Sequence, residues 1–97
     1  MNEIVVLLGA QLDLQTWFER QQTAERADRL EREIQVAYQQ LAQFPRSSRS
    51  FDGKFRRHLL NGFPYGLFYA VEGRRVMIHA LLDTRQDPET IRRRLGL

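Results

Sequence analysis

Residues 65–83 have the sequence YGLFYAVEGRRVMIHALLD, in which two runs of alternating side chains lie on either side of Gly73. One set of alternating positions is mostly apolar, namely Tyr65, Leu67, Tyr69 and Val71 in the first run and Val76, Ile78, Ala80 and Leu82 in the second. A period of two predicts β-strands, and a glycine between two such runs predicts a hairpin turn. We expect Tyr65 and Tyr69 to pack in the core rather than to stack on bases.

Two further apolar stretches predict the remaining strands of the sheet. Ile4 to Leu8 is short, apolar and β-branched, and Phe55 to Asn61 precedes the first run of the hairpin. Between the helical region and this third stretch lies RSSRSFDGK, residues 46–54, whose Ser, Arg, Asp and Gly content predicts a loop. Four strands are therefore expected.

Helical periodicity occupies the segment after the first strand. Apolar residues at Ala10, Leu14, Trp17 and Phe18 predict a first helix that ends near Gln22. Thr23 is a suitable N-cap for a second helix, which Pro45 ends. The second helix has one apolar stripe, made of Ala27, Leu30, Ile34, Ala37, Leu41 and Phe44. Its other face predicts the i,i+4 ion pairs Glu25–Arg29, Asp28–Arg32 and Arg29–Glu33.

A short third helix is predicted at Asp87-Pro88-Glu89, with proline at its first position and arginines at its end. The order of elements is then β-α-α-β-β-β-α in a single domain, residues 1–97. This order predicts an α+β fold in which a helical hairpin packs on one face of a mainly antiparallel four-stranded sheet.

Composition excludes several classes of site. The chain has no cysteine, which excludes disulfides, zinc–thiolate sites and thiol nucleophiles. His58 and His79 lack metal-ligand spacing, so neither a metal nor another cofactor is expected. Ser47, Ser48 and Ser50 have no base next to them in sequence and are interpreted as turn residues. The longest apolar run, residues 4–10, is too short to span a bilayer, and a cytoplasmic protein without a membrane partner is expected.

Charge is distributed unevenly along the chain. Residues 1–44 hold seven acidic and four basic side chains, whereas residues 45–97 hold eleven basic and five acidic ones. A basic half indicates an anionic partner, either nucleic acid or an acidic protein segment, although a solvated basic surface explains it equally well. The candidate binding residues are the arginines that flank the predicted strands, Arg56, Arg57, Arg85, Arg92, Arg93 and Arg94.

The ordered set of motifs in residues 57–88 resembles the ParE/RelE toxin superfamily of type II toxin–antitoxin systems, which includes plasmid stabilisation proteins. The similar features are an Arg-rich strand, Phe63-Pro64-Tyr65, the hairpin, and Arg-x-Asp-Pro at residues 85–88. Ala10 with Asp13-Leu14 is similar to the start of the family's first helix, and LAQFP at residues 41–45 to the end of its second. The resemblance covers nearly the whole chain and implies the same order of elements.

The resemblance implies a toxin that a cognate antitoxin neutralises, alone as a homodimer or in a hetero-oligomer with that antitoxin. ParE-like members arrest growth by binding DNA gyrase, and RelE-like members cleave mRNA on the ribosome. Arg57 and Arg85 match basic positions of the ribonucleases and would be the catalytic residues of that alternative. Gly66 and Ile91, however, stand where the ribonucleases commonly carry Arg and Tyr, and Asp83 stands where many have His and could pair with Arg85. These departures favour a ParE-like gyrase inhibitor over a ribonuclease, with a detoxified binding protein as a third possibility.

Overall fold

The computed structural model describes all of residues 1–97 and contains a five-stranded sheet with three helices. The elements are β1 (Glu3–Val6), α1 (Leu8–Glu19), α2 (Ala24–Gln43), β2 (Arg49–Asp52), β3 (Phe55–Leu59), β4 (Tyr65–Glu72), β5 (Arg75–Asp83) and α3 (Pro88–Arg94). The strand order is β1-β5-β4-β3-β2. Strand β1 is parallel to β5, and every other pair is antiparallel. The predicted α+β architecture is confirmed, but the sheet has five strands rather than four.

The additional strand is β2, which lies within the segment predicted to be a loop. Arg49 pairs with Arg57 of β3, and Gly53 makes the connecting turn with a positive φ of 54°. Three of the four residues of β2 are polar because it is an edge strand with little buried surface. Only Phe51 packs inward, edge-on to the ring of Phe68 at 5.1 Å between centroids. The polar composition of residues 46–54 therefore predicted a loop where the structure has a strand.

Helix α2 has the predicted N-cap and most of the predicted apolar stripe. The Thr23 hydroxyl accepts a hydrogen bond from the backbone N–H of Arg26 at 3.1 Å, which confirms the cap. Leu30, Ile34, Ala37 and Leu41 are buried, whereas Phe44 is 63% exposed. Phe44 leaves the stripe because the helix ends at Gln43 and the backbone turns at the next residue.

None of the three helices combines the length and the apolar character that a membrane span requires.

The three ion pairs predicted along α2 do not form. The structure contains no ion pair within this helix. Arg26 and Arg29 instead lie over the ring of Phe63, with guanidinium carbons 4.4 and 5.9 Å from its centroid. Both arginines therefore make cation–π contacts with Phe63. The ion pairs that they replace would be exposed to solvent, and each would stabilise the helix by only about 0.2–0.5 kcal/mol.

Each face of the sheet buries its own apolar cluster. The main core lies between the helical hairpin and the sheet and includes Tyr65 and Tyr69, as predicted. The opposite face carries a smaller cluster of Phe68, Ala80, Leu82 and Ile91, which α3 covers. A bulge in β5 puts Ile78 and Ala80 on opposite faces, because Phe68 pairs with Ala80 while Tyr69 pairs with Ile78. The regular alternation predicted for this strand is therefore wrong after Ile78, and Leu81 faces the main core.

Side chains of α1 satisfy the backbone of β5 beyond the end of β1. The last backbone bond from the β1 side runs from the N–H of Leu7 to the carbonyl of Ile78 at 3.0 Å. Further along, the Leu81 N–H donates to Oδ2 of Asp13 at 3.0 Å, and Nε1 of Trp17 donates to the Leu81 carbonyl at 2.6 Å. Buried backbone groups require such partners. Beyond the end of β1, side chains of α1 therefore supply the hydrogen bonds that a longer β1 would make to β5.

Candidate partner-binding surface

The six arginines predicted to bind a partner do not converge on one spot. Arg56 and Arg57 lie on β3, Arg85 follows β5, and the other three lie on α3. Neighbouring residues of a strand point to opposite faces. Arg56, whose cross-strand partner is Tyr69, lies on the face that carries the helices, while Arg57, opposite Phe68, lies on the other face. The structure therefore separates two adjacent candidates.

Arg85 forms a local ion pair with Asp83. Its Nε and Nη2 donate to Oδ1 and Oδ2 of that carboxylate at 3.1 and 2.7 Å, in a bidentate arrangement. The hydrogen bond from Arg85 lowers the pKa of Asp83, and the same bond raises the pKa of Arg85. The pairing expected from the sequence is confirmed, and it neutralises Arg85 where an anionic substrate would need a free charge.

Arg92 and Arg94 connect α3 to other parts of the chain. Arg92 donates to Asp52 of β2 at 2.7 Å and to Glu89 at 2.9 Å, and these hydrogen bonds raise its pKa. Arg94 donates to Oδ2 of Asp13 at 2.8 Å, the same oxygen that accepts from the backbone of β5. Both arginines therefore hold α3 against the sheet and α1.

Arg57 and Arg93 are the predicted arginines whose side chains make no hydrogen bond or ion pair. Arg56 is different, because its Nη1 donates to backbone carbonyls, including that of Ser48 at 2.8 Å. The structure adds Arg49, which is exposed, has no partner and pairs directly with Arg57 across the two strands. Sequence analysis missed Arg49 because its segment was predicted to be a loop.

A groove adjoins this pair of arginines, and we call it the α2–β3 groove. It consists of two open cavities of about 380 and 270 Å³ that share His58 and Leu59. The larger cavity lies between α2 and the end of β3, and the smaller lies beside Arg49 and Arg57. Val36 and Leu59 are 46% and 56% exposed, so both present apolar surface to the groove.

Ser48 has a base beside it, contrary to the sequence analysis. Its hydroxyl lies 2.9 Å from Nδ1 of His58, which the register of β2 and β3 brings opposite it. Burial lowers the pKa of His58, which favours the neutral form of the ring. Nε2 of His58 donates no hydrogen bond to a carboxylate that would orient the ring. The pair therefore lacks the third member of a nucleophilic triad. Its hydrogen bond instead holds Ser48, the residue before β2, against β3.

The second histidine and the acidic residues provide no metal site. His79 is the extra residue of the bulge in β5, and its Nε2 is buried without a partner. Its ring packs edge-on to Phe55 at 4.9 Å, and burial is the main cause that lowers its pKa. No group of three or more His, Asp or Glu side chains lies close enough together to bind a metal ion.

The two departures from the ribonuclease pattern have clear structural consequences. Ile91 is only 2% exposed and lies in the cluster under α3, where no proton transfer to a substrate is possible. At Gly66, an added Cβ would lie 3.0 Å from Cγ2 of Thr84 and 3.1 Å from Cγ of Arg57. The stem of Arg57 therefore packs across the position where the ribonucleases carry their own arginine.

Comparisons with known proteins agree with this geometry. The family model described as the ParE toxin of type II toxin–antitoxin system, parDE, matches residues 9–88. A solved structure titled "Chromosomal ParDE TA system from P. aeruginosa" has a similar fold, with a TM-score of 0.70 and 18% identity. That match covers 84% of this chain and 94% of the other. No curated protein sequence matches significantly.

Proposed function

Because this chain belongs to the ParE toxin family of type II toxin–antitoxin systems, we propose that it arrests growth by binding DNA gyrase in the cytoplasm. A cognate antitoxin, as in the ParDE system that the structure resembles, neutralises it by binding to its surface. The chain acts by binding and carries out no chemical step. Arg57 and Arg93, whose guanidinium groups are free, make contacts to these partners, while Arg56, Arg85, Arg92 and Arg94 mainly stabilise the toxin itself.

The burial of Ile91 is the observation that supports gyrase binding over RNA cleavage. A ribosome-dependent nuclease needs a group that transfers a proton or stacks on a base, and removal of such a group costs about 10²-fold or more in rate. Ile91 supplies neither function, because its side chain packs against Phe68 and Leu82. Arg85 is also less available to phosphate, since Asp83 holds it in a bidentate pair.

One observation favours the second candidate function, a RelE-like mRNA endonuclease. Arg57 is partly buried and unpaired on the sheet face opposite the helical hairpin, where a phosphate could reach it. In that case Arg57 and Arg85 would contact the phosphate and stabilise charge that develops during cleavage. The two candidate functions therefore predict different effects when Arg57 and Arg85 are replaced.

Induction of the protein in cells, beside assays with purified gyrase, tests the proposal. We expect growth arrest with intact mRNA in primer extension and inhibited DNA supercoiling. Codon-phased cleavage that disappears in Arg57→Ala and Arg85→Ala would refute the proposal and establish the endonuclease. Unimpaired growth would identify a detoxified relative, and arrest with active gyrase and intact mRNA would identify another target.

A further inference from the structure

We propose that the α2–β3 groove and the Arg49–Arg57 pair together bind one segment of the antitoxin, in which an aliphatic side chain is adjacent in sequence to acidic residues. The inference rests on the proposed function, because it assigns a place and a chemistry to the antitoxin contact. Two features of the groove, its charge at one end and its apolar surface at the other, select this occupant.

The basic end of the groove contains two like charges in direct opposition. Residues directly opposite in an antiparallel pair have Cβ atoms about 5 Å apart, and like charges there are destabilising. Arg49 and Arg57 occupy such positions, and no carboxylate pairs with either. Asp52, the only acidic residue of β2, is already bound to Arg92. An acidic segment relieves this repulsion and takes advantage of the bidentate geometry of guanidinium groups.

The apolar end of the groove lies where β2 no longer covers β3. Strand β2 begins at Arg49, opposite Arg57, so the side of β3 beyond that residue has no neighbouring strand. Leu59 and Val36 are exposed there on the two sides of the larger cavity. Glu33 also lines this cavity and repels acid. The aliphatic residue of the occupant therefore binds near α2, and its acidic residues bind near the arginines.

Hydrogen bonds hold the wall of the groove in place before any partner binds. The Ser48 hydroxyl bonds to Nδ1 of His58 at 2.9 Å, and Nη1 of Arg56 donates to the Ser48 carbonyl at 2.8 Å. These bonds fix the residue before Arg49 against the neighbouring strand. A surface that is already ordered loses less conformational entropy on binding.

The experiment measures the affinity of the toxin for the purified protein encoded by the gene adjacent to its own, by calorimetry or biolayer interferometry. We expect Arg49→Glu and Arg57→Glu each to weaken binding about tenfold, and Leu59→Ala by a similar factor. The control is Arg74→Glu, which changes another unpaired arginine in the turn after β4, beside β1 at the opposite edge of the sheet. This control should bind within about twofold of the unaltered chain.

The melting temperatures of the same variants show whether weaker binding results from loss of the fold. Arg49→Glu places opposite charges across β2 and β3, which favours the folded hairpin, and Leu59 is exposed. Their melting temperatures should therefore stay close to that of the unaltered chain. Equal affinities for all variants would overturn the inference and leave the proposed function intact. No binding to the unaltered chain would instead refute the proposed antitoxin partnership and this inference with it.

Discussion

Replacement of Asp13 by alanine tests how the fold satisfies the backbone of β5. Oδ2 of Asp13 accepts from the Leu81 N–H at 3.0 Å and from Nη2 of Arg94 at 2.8 Å. One carboxylate oxygen therefore joins α1, β5 and α3. The Asp13 side chain is 14% exposed and that of Arg94 is 37% exposed, so the first contact is shielded from solvent more than the second.

The expected cost of Asp13→Ala is about 2–3 kcal/mol of unfolding free energy. Most of it comes from the Leu81 N–H, because a buried donor left without a partner costs about 1–3 kcal/mol. The ion pair to Arg94 contributes about 0.2–1 kcal/mol, since solvent screens a guanidinium that is more than a third exposed. Asp13→Asn keeps an oxygen for the backbone bond and loses the ion pair, so it should cost about 1 kcal/mol or less.

Thermal and urea unfolding of the single variants and of the double variant with Arg94→Ala separate these contributions. For a domain of this size, 1 kcal/mol corresponds to about 4–8 °C in Tm. Asp13→Ala should therefore lower Tm by about 10 °C or more, and the coupling between the two positions should stay below about 1 kcal/mol. Equal stability of Asp13→Ala and the unaltered chain would refute the reasoning, as would equal losses for alanine and asparagine.

Three further predictions concern the core, the histidines and the site. Ile34→Ala, at a side chain that is 3% exposed, should cost about 2–4 kcal/mol in urea unfolding, whereas Phe44→Ala should cost less than about 0.5 kcal/mol. Burial lowers the pKa of His58 and of His79 below 6.5, so the unfolded chain binds protons more tightly and Tm should fall as pH drops below about 6.5. Replacing both histidines by Gln should flatten that pH profile, and an unchanged slope would contradict the assignment. Ile91→Tyr should destabilise the protein by about 1–3 kcal/mol through overpacking and should produce no mRNA cleavage in primer extension.

Local patterns predicted those parts of the fold that depend on neighbours in sequence. The period of two around Gly73 gave the central hairpin, and Thr23 before the apolar stripe gave the start of α2. The sequence missed β2, because an edge strand buries too little surface to require apolar residues. It also missed the bulge near His79, since an extra residue in a strand changes which faces are buried without any change in composition.

In the candidate site, too, contacts between residues close in sequence were predictable and contacts between distant residues were not. The pairing of Asp83 with Arg85 was predictable, because the two residues are close in sequence. The partner of Arg94 lies on α1, so no local pattern indicates that this arginine is already occupied. The position of Arg49 opposite Arg57 likewise depends on a strand register that the loop prediction excluded. Tertiary contacts decide which charges remain available for a partner.

The parallel pairing of β1 with β5 has a consequence for how quickly the chain folds. Strands β2 to β5 are joined by short turns and can form from nearby residues, but Val6 must find Ile78. Contacts between residues so far apart in sequence require closure of a long loop, and folding slows as such contacts become more numerous. The antiparallel meander is therefore expected to form first, with the first strand and the helical hairpin docking onto it afterwards. Until that docking is complete, the residues that will form the main core on β4 and β5 remain accessible to water and to other chains.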